Sequence, residues 1–212
     1  MSWVILSQHI QNWVPHQNVW VNIGTGKSPR AWYKARTSSC QSNLKQLTLG
    51  LLMYAQDYDE TFMGYAASPL PGGATFPYLD GGTGTNITWM VRAYPYVKNF
   101  QVFSCPSDTR TWVGQYSTKS AYGLNILAFP NFGKPNLADF AYPAETSMIG
   151  ESDGAASWGY GFSASGAFAR HTDGLNVAFV DGHVKWIGET NIPAATATSK
   201  FWYAQPTEPA TR

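Results

Sequence analysis

The first strong pattern along the chain is a three- and four-residue spacing of apolar side chains between residues 35 and 60. Polar side chains fill most of the intervening positions, so the two kinds of residue separate onto opposite faces of a helix. This spacing predicts an amphipathic helix over about residues 36–60, of roughly six turns. Its apolar face would carry Cys40, Leu44, Leu47, Leu51, Tyr54, Ala55 and Tyr58.

Short apolar runs in the second half of the chain predict β-strands. The clearest pair is 176–180 and 183–187, separated by Asp181-Gly182. An Asp-Gly pair between apolar runs predicts a hairpin with a two-residue turn, in which both residues have positive φ. Further strands are predicted at 100–105, 120–129 and 146–150, and residues 89–97 form a short helix or an extended segment. One long helix followed by several strands favours an α+β fold, with the helix packed on an antiparallel sheet.

The remaining segments of the chain show no sustained periodicity of apolar residues. Residues 1–34 hold four of the nine tryptophans but lack the run of about 20 apolar residues that a membrane helix needs. Residues 61–88 are dense in Gly and Pro, which predicts a long surface loop. We therefore expect an atypical, disordered or misassigned segment at 1–34, a globular domain at 35–190 and a weakly ordered tail at 191–212.

Composition and charge narrow the classes of function. Only 13% of the residues are charged, 15% are aromatic, and the net charge is +1. Lys and Arg are scattered singly, whereas binding to nucleic acid or to an anionic membrane surface needs clustered positive charge. A polar surface with few charges is common among secreted and cell-surface proteins.

The two cysteines, Cys40 and Cys105, allow two interpretations. In an oxidising compartment they would form one disulfide between distant segments, and in the cytoplasm they would be two buried thiols. There is no CxxC motif, and two thiols alone cannot build a structural zinc site.

The strongest enzymatic hypothesis gathers His171, Asp173, Asp181 and His183 into a metal or acid–base cluster. No HExxH or other known ligand spacing supports it, so we favour the alternative in which His171 holds a loop and Asp181 forms a turn.

Three acidic residues at the helix end, Asp57, Asp59 and Glu60, offer oxygen ligands for Ca²⁺ but lack the EF-hand pattern. A solvated helix end is the favoured interpretation, and bound calcium is left open. Neither a nucleophile elbow nor a phosphate-binding loop is present. The sequence therefore predicts no enzymatic activity and no cofactor.

Two blocks of the chain resemble prepilin-type proteins that carry a C-terminal motif of a His, nine residues and Asp-Gly. The first block runs from Lys34 to Glu60, and the second contains Arg170-His171 and Asp181-Gly182. Further similar segments are Phe103-Ser104-Cys105-Pro106-Ser107-Asp108, Ser120-Ala121-Tyr122-Gly123-Leu124-Asn125 and Pro143-Ala144-Glu145-Thr146. They follow the order of that family between residues 34 and 187.

The resemblance implies a pilin-like fold, similar to the pseudopilins of type II secretion and to minor pilins. It implies a structural subunit of a pseudopilus or type IV pilus-like assembly on the periplasmic or extracellular face of the bacterial cell envelope. The partners would be other pilin-like subunits and a secretion or pilus assembly machinery. Contact with the membrane would come only through an apolar helix behind a leader site, and residues 1–34 have neither. The motif residues His171, Asp181 and Gly182 would then fix the C-terminal hairpin.

A second hypothesis belongs to a different class. The aromatic residues in the loops of residues 61–100 could stack on sugar rings, which would make the chain an extracellular glycan- or surface-binding module.

Overall fold

The computed structural model describes residues 13–16, 19–22, 29–69, 76–77, 83–84, 86–108, 121–130, 133–153 and 161–207. Two α-helices lie in these residues, α1 at Pro29–Asp57 and α2 at Trp89–Val97. None of the described helices is long and apolar enough to cross a membrane. Three small antiparallel pairs join β1 (Trp13–His16) to β2 (Val19–Asn22), β3 (Ala66–Pro69) to β6 (Asn86–Thr88), and β4 (Phe76–Pro77) to β5 (Thr83–Gly84).

The main sheet has five strands in the order β11-β10-β8-β7-β9. They are β7 (Tyr122–Asn125), β8 (Ser147–Glu151), β9 (Gly161–Phe162), β10 (Gly174–Phe179) and β11 (Val184–Gly188). All neighbours pair antiparallel except β7 and β9, which are parallel. Helix α1 packs on β10, β8 and β11, so the predicted α+β fold with a helix on a mostly antiparallel sheet is confirmed.

Helix α1 buries the face that the apolar spacing predicts except at Tyr58, which follows the helix end and is exposed. Cys40, Leu44, Leu47 and Leu51 are at most 1% exposed and belong to the main core. The helix begins at Pro29, earlier than predicted, because proline suits the first turn, where its missing N–H is not needed. It ends at Asp57 rather than Glu60, and the chain then turns through left-handed conformations at Asp59 and Glu60.

Helix α2 packs closely against α1 at Gly50. A Cβ atom at this position would lie 2.6 Å from Val97 Cγ2, so the glycine permits the close approach of the two helices. Buried residues of α2, among them Trp89 and Met90, then complete the core beside the apolar face of α1.

The strand predicted at 100–105 is wrong, because Phe100–Phe103 forms a 3₁₀ helix. The Asn99 side chain accepts a hydrogen bond from the backbone N–H of Gln101, 2.9 Å away, and so begins a helical turn in place of an extended strand. Val102 and Phe103 are still buried, as an apolar run would require.

The hairpin at Asp181-Gly182 is confirmed in position but not in turn geometry. Phe179 and His183 close it through a backbone hydrogen bond of 2.9 Å, so its loop has three residues, 180–182. Only Gly182 of the Asp-Gly pair has a positive φ, at 93°, and its N–H donates to the carbonyl of Phe179. The predicted two-residue turn is therefore replaced by a turn that ends in one left-handed glycine.

The C-terminal segment packs into a second core cluster, unlike the weakly ordered tail predicted for 191–212. Phe201 and Trp202 are buried against Phe162, Leu175 and Val177. The Trp202 indole N–H also donates to the carbonyl of Pro193 at 2.6 Å. Apolar burial of these rings orders the segment to residue 207, and 208–212 lie outside the described residues. Of the segment predicted at 1–34, only β1, β2 and the start of α1 are described.

Candidate functional site: a buried polar cluster beside β10

A disulfide joins Cys40 of α1 to Cys105, which follows the 3₁₀ helix. Their Cα atoms are 5.4 Å apart, and both residues are buried. Of the two interpretations that the sequence left open, the structure contains the oxidised pair. The bond fixes the loop of residues 104–108 to the helix, and Asn43 adds a hydrogen bond of 2.9 Å to the carbonyl of Ser104.

A buried pair of polar side chains, His171 and Glu151, lies directly beside this disulfide. His171 Nε2 is 2.8 Å from Glu151 Oε1 at the end of β8, and 3.4 Å from Cys105 Sγ. His171 is 3% exposed and Glu151 is fully buried. Because a carboxylate only accepts hydrogen bonds, the imidazole donates to it, which places a proton on Nε2.

Asn176 of β10 provides two further hydrogen bonds to the Glu151 carboxylate. Its backbone N–H donates to Oε2 at 2.9 Å, and its side-chain amide donates to Oε1 at 3.3 Å. A buried charge is tolerated only when such donors replace its lost hydration. The carboxylate therefore depends on β10 and on the segment before it.

Arg170 links the same region to three further segments. Its guanidinium donates to the carbonyl of Ala121 at 2.8 Å and also to that of Ser152. It pairs with the carboxylate of Asp108 at 3.3 Å. The loop that carries Cys105 is thus held by an ion pair as well as by the disulfide.

The phenol of Tyr122 lies in the same buried environment. Burial raises its pKa far above the usual value, and the negative charge of Glu151 raises it further. The phenol is therefore neutral at every pH at which the protein is expected to fold.

The Asp181-Gly182 turn lies at the opposite end of β10. Lys45 Nζ donates to the carbonyl of Gly182 at 2.6 Å, and the N–H of Asp181 donates to the carbonyl of Pro143 at 3.1 Å. His183 Nδ1 lies 2.6 Å from Asp181 Oδ1, and both side chains are partly exposed. His171 and the turn therefore attach the two ends of β10 to the rest of the fold.

The hypothetical cluster of His171, Asp173, Asp181 and His183, which the sequence disfavoured, does not form. A strand of six residues spans about 20 Å, and β10 lies between His171 and the turn. The sequence placed His171 in a candidate site but missed Glu151 and Asn176. Neither has a local signal, because a Glu at a strand end and an Asn within a strand are ordinary until a long-range contact pairs them.

The two other candidate sites considered from the sequence are the acidic helix end and the aromatic loops. Asp57, Asp59 and Glu60 form no converging group in the part of the chain that the structure describes, and Asp57 accepts a hydrogen bond from the Tyr96 hydroxyl at 2.8 Å. The aromatic loops of residues 61–100 lie partly outside the described residues. Near them is an open cleft of about 740 Å³, lined by Tyr54, Tyr58, Asp59, Thr61, Phe62, Val91, Arg92, Pro95, Tyr96 and Lys134.

A family model described as SBP_bac_10, protein of unknown function (DUF1559), matches residues 30–156. No curated protein and no solved structure matches the chain. The matched range starts beside the beginning of α1 and includes Cys40, Cys105 and Glu151. The chain therefore belongs to the DUF1559 family, which is found in prepilin- and pseudopilin-like bacterial proteins.

Proposed function

We propose that this chain is a structural subunit of a pseudopilus or type IV pilus-like assembly on the bacterial cell envelope. Its partners are other pilin-like subunits and the machinery that assembles them. Membership of DUF1559 and the packing of a long helix on a mostly antiparallel sheet both support the proposal.

The observation that carries the proposal is the division of α1 into two parts. From Cys40 to Ala55 the helix places its apolar face in the core. From residue 30 to residue 39 none of its side chains is buried, although the helix continues without a break. A helix that runs beyond the core offers a surface for packing against the same helix of another subunit.

The exposed part of α1 has the chemistry of a packing surface. Trp32 and Tyr33 are half-buried, and the Arg36 guanidinium lies 3.5 Å from the centre of the Trp32 ring. Aromatic and arginine side chains are enriched where protein surfaces meet. This part of the helix is therefore the first place to look for contacts between subunits.

The polar cluster supports a structural role over a catalytic one. Glu151 is fully buried and His171 nearly so, and both are held by neighbouring side chains and backbone groups. A catalytic acid or base has to reach its substrate. The cluster is better placed to join α1, the Cys105 loop and β10.

Site-specific photocrosslinking in native cells tests the assembly role. A photoreactive residue replaces Lys34 in the exposed part of α1, and a matched variant carries it at Gln56, near the helix C-terminus. We expect a ladder of self-adducts from position 34, enriched in the envelope fraction, and few adducts from position 56. Equal adduct yields at the two positions, or protein confined to the cytoplasm, would contradict the proposal.

A second candidate function is glycan binding at the cleft near α2. Tyr54 and Tyr58 stack with ring centres 4.3 Å apart, and the Tyr58 side chain is 55% exposed. Exposed aromatic faces beside polar groups suit the stacking of sugar rings. A glycan array with the native protein and a Tyr58→Ala variant tests this function, and signals that persist in the variant would exclude the cleft.

A further inference from the structure

Four side chains that can bind a metal ion converge in the buried cluster. The ligand atoms of Cys40, Cys105, Glu151 and His171 all lie within 4.8 Å of one another. They come from α1, the loop after the 3₁₀ helix, the end of β8 and the segment before β10. Two sulfurs, one imidazole nitrogen and one carboxylate oxygen match the ligand types that Zn²⁺ takes in proteins.

We infer that the reduced chain binds one Zn²⁺ ion through these four side chains, and that this metal site and the disulfide are alternative states of one cluster. Metal binding by the cluster is independent of the assembly role. It adds a metal-bound form to the oxidised form present in the structure.

The distances suit a tetrahedral site. With zinc bonds of ordinary length, neighbouring ligand atoms lie about 3.3–3.8 Å apart. His171 Nε2 is already 2.8 Å from Glu151 Oε1 and 3.4 Å from Cys105 Sγ, and that sulfur is 4.0 Å from the same carboxylate oxygen. Zinc binding therefore requires little movement beyond the separation of the two sulfurs.

Neighbouring groups are placed to support metal ligands. The backbone N–H of Ser107 points at Cys105 Sγ over 3.4 Å, and such a donor stabilises negative charge on sulfur. Asn176 donates twice to the Glu151 carboxylate and so orients it. Hydrogen bonds from outer groups to the ligands are a regular feature of metal sites and tune their affinity.

The disulfide must be reduced before the two sulfurs can bind the metal. A dithiol reductant cleaves the disulfide, becoming a disulfide itself, and leaves two thiols at Cys40 and Cys105. Each thiol loses its proton to solvent when its sulfur binds Zn²⁺. The neutral imidazole of His171 moves its proton from Nε2 to Nδ1, so that Nε2 can bind the metal. Glu151 then contacts the metal in place of that N–H.

Metal titration of the full-length protein tests the inference. The chain is reduced without oxygen and titrated with Co²⁺, then with Zn²⁺ as competitor, and the oxidised chain is treated in parallel. We expect one Co²⁺ per reduced chain, with thiolate charge-transfer and tetrahedral ligand-field bands that Zn²⁺ abolishes, and no such bands from the oxidised chain.

Four variants test the assignment of the ligands: two alter proposed ligands, one is a control and one alters a supporting residue. Cys40→Ala and Glu151→Gln should lose the tetrahedral spectrum, whereas His183→Ala, which alters an exposed histidine outside the cluster, should retain it. Asn176→Ala should weaken the affinity by about 10–100-fold, because it removes one donor from Glu151.

Near-ultraviolet circular dichroism of the tryptophans reports folding in each sample. If reduction unfolds the chain, Zn²⁺ should restore the folded spectrum at one equivalent. Failure of the reduced chain to bind Co²⁺ or to refold with Zn²⁺ would overturn the inference. A cobalt spectrum unchanged in Cys40→Ala and Glu151→Gln would overturn it as well.

Discussion

The disulfide joins residues that are 65 positions apart, so it restricts a large part of the unfolded chain. The entropy of closing a loop of this length corresponds to about 4 kcal/mol at 25 °C. Reduction of the Cys40–Cys105 bond should therefore lower the free energy of unfolding by about 4 kcal/mol. For a protein of this size, the melting temperature should fall by roughly 8–16 °C.

Equilibrium unfolding in urea, with and without a phosphine reductant, measures this loss. A chelator keeps the reduced thiols free of metal, and a thiol assay verifies that the bond is open. The matched control is the double variant Cys40→Ala, Cys105→Ala, whose stability should not respond to the reductant. A loss below about 1 kcal/mol in the fully reduced native protein would refute the entropic argument.

Three further predictions concern other parts of the fold. Gly182→Ala should lower the free energy of unfolding by about 1–2 kcal/mol in a urea titration, because φ is 93° and the new Cβ would lie 3.2 Å from Leu52 Cδ1. An unchanged urea midpoint of unfolding would contradict this prediction. Trp202→Ala should cost about 3–5 kcal/mol by the same assay, and a loss below 1 kcal/mol would argue that residues 191–207 contribute little to the core. Partial burial and the hydrogen bond to Asp57 raise the pKa of Tyr96 to about 12, so the folded state favours the protonated phenol. The resulting contribution to the free energy of unfolding is complete below pH 10 and is lost as the pH rises towards 12. Melting curves between pH 9 and pH 12 should therefore fall more steeply for the native protein than for Tyr96→Phe, and parallel curves would contradict the assignment.

Local sequence patterns predicted the elements that carry a regular spacing of apolar residues or a distinctive turn sequence. The apolar spacing from Cys40 to Tyr54 located the buried face of α1, and the Asp-Gly pair located the hairpin between β10 and β11. Such patterns report which face of an element is buried. They do not report the conformation of each turn residue, so the three-residue loop was not predicted.

The buried cluster could be predicted only in part. The sequence indicated His171 as a titratable residue in a recognisable motif. Its partner Glu151 lies at the end of β8 and has no motif of its own. The packing of Phe201 and Trp202 was missed for a related reason. Their segment lacks strand or helix periodicity, and its order comes from burial of two large rings against distant strands.

Segments from the early and late parts of the chain meet at β10, so α1 is synthesised well before its main partner strand. Leu44 and Leu51 leave the ribosome long before Ala178 and Val180, the residues of the β10 region that share their core. At about 5–20 residues per second, the apolar face of α1 waits roughly 7–27 seconds for its partner strand. During that interval the nascent chain presents an amphipathic helix that still lacks β10, the strand with which it makes its main contact. A chaperone that binds nascent chains would meet the protein in this state, so successful production depends on what shields α1 as well as on the stability of the finished fold.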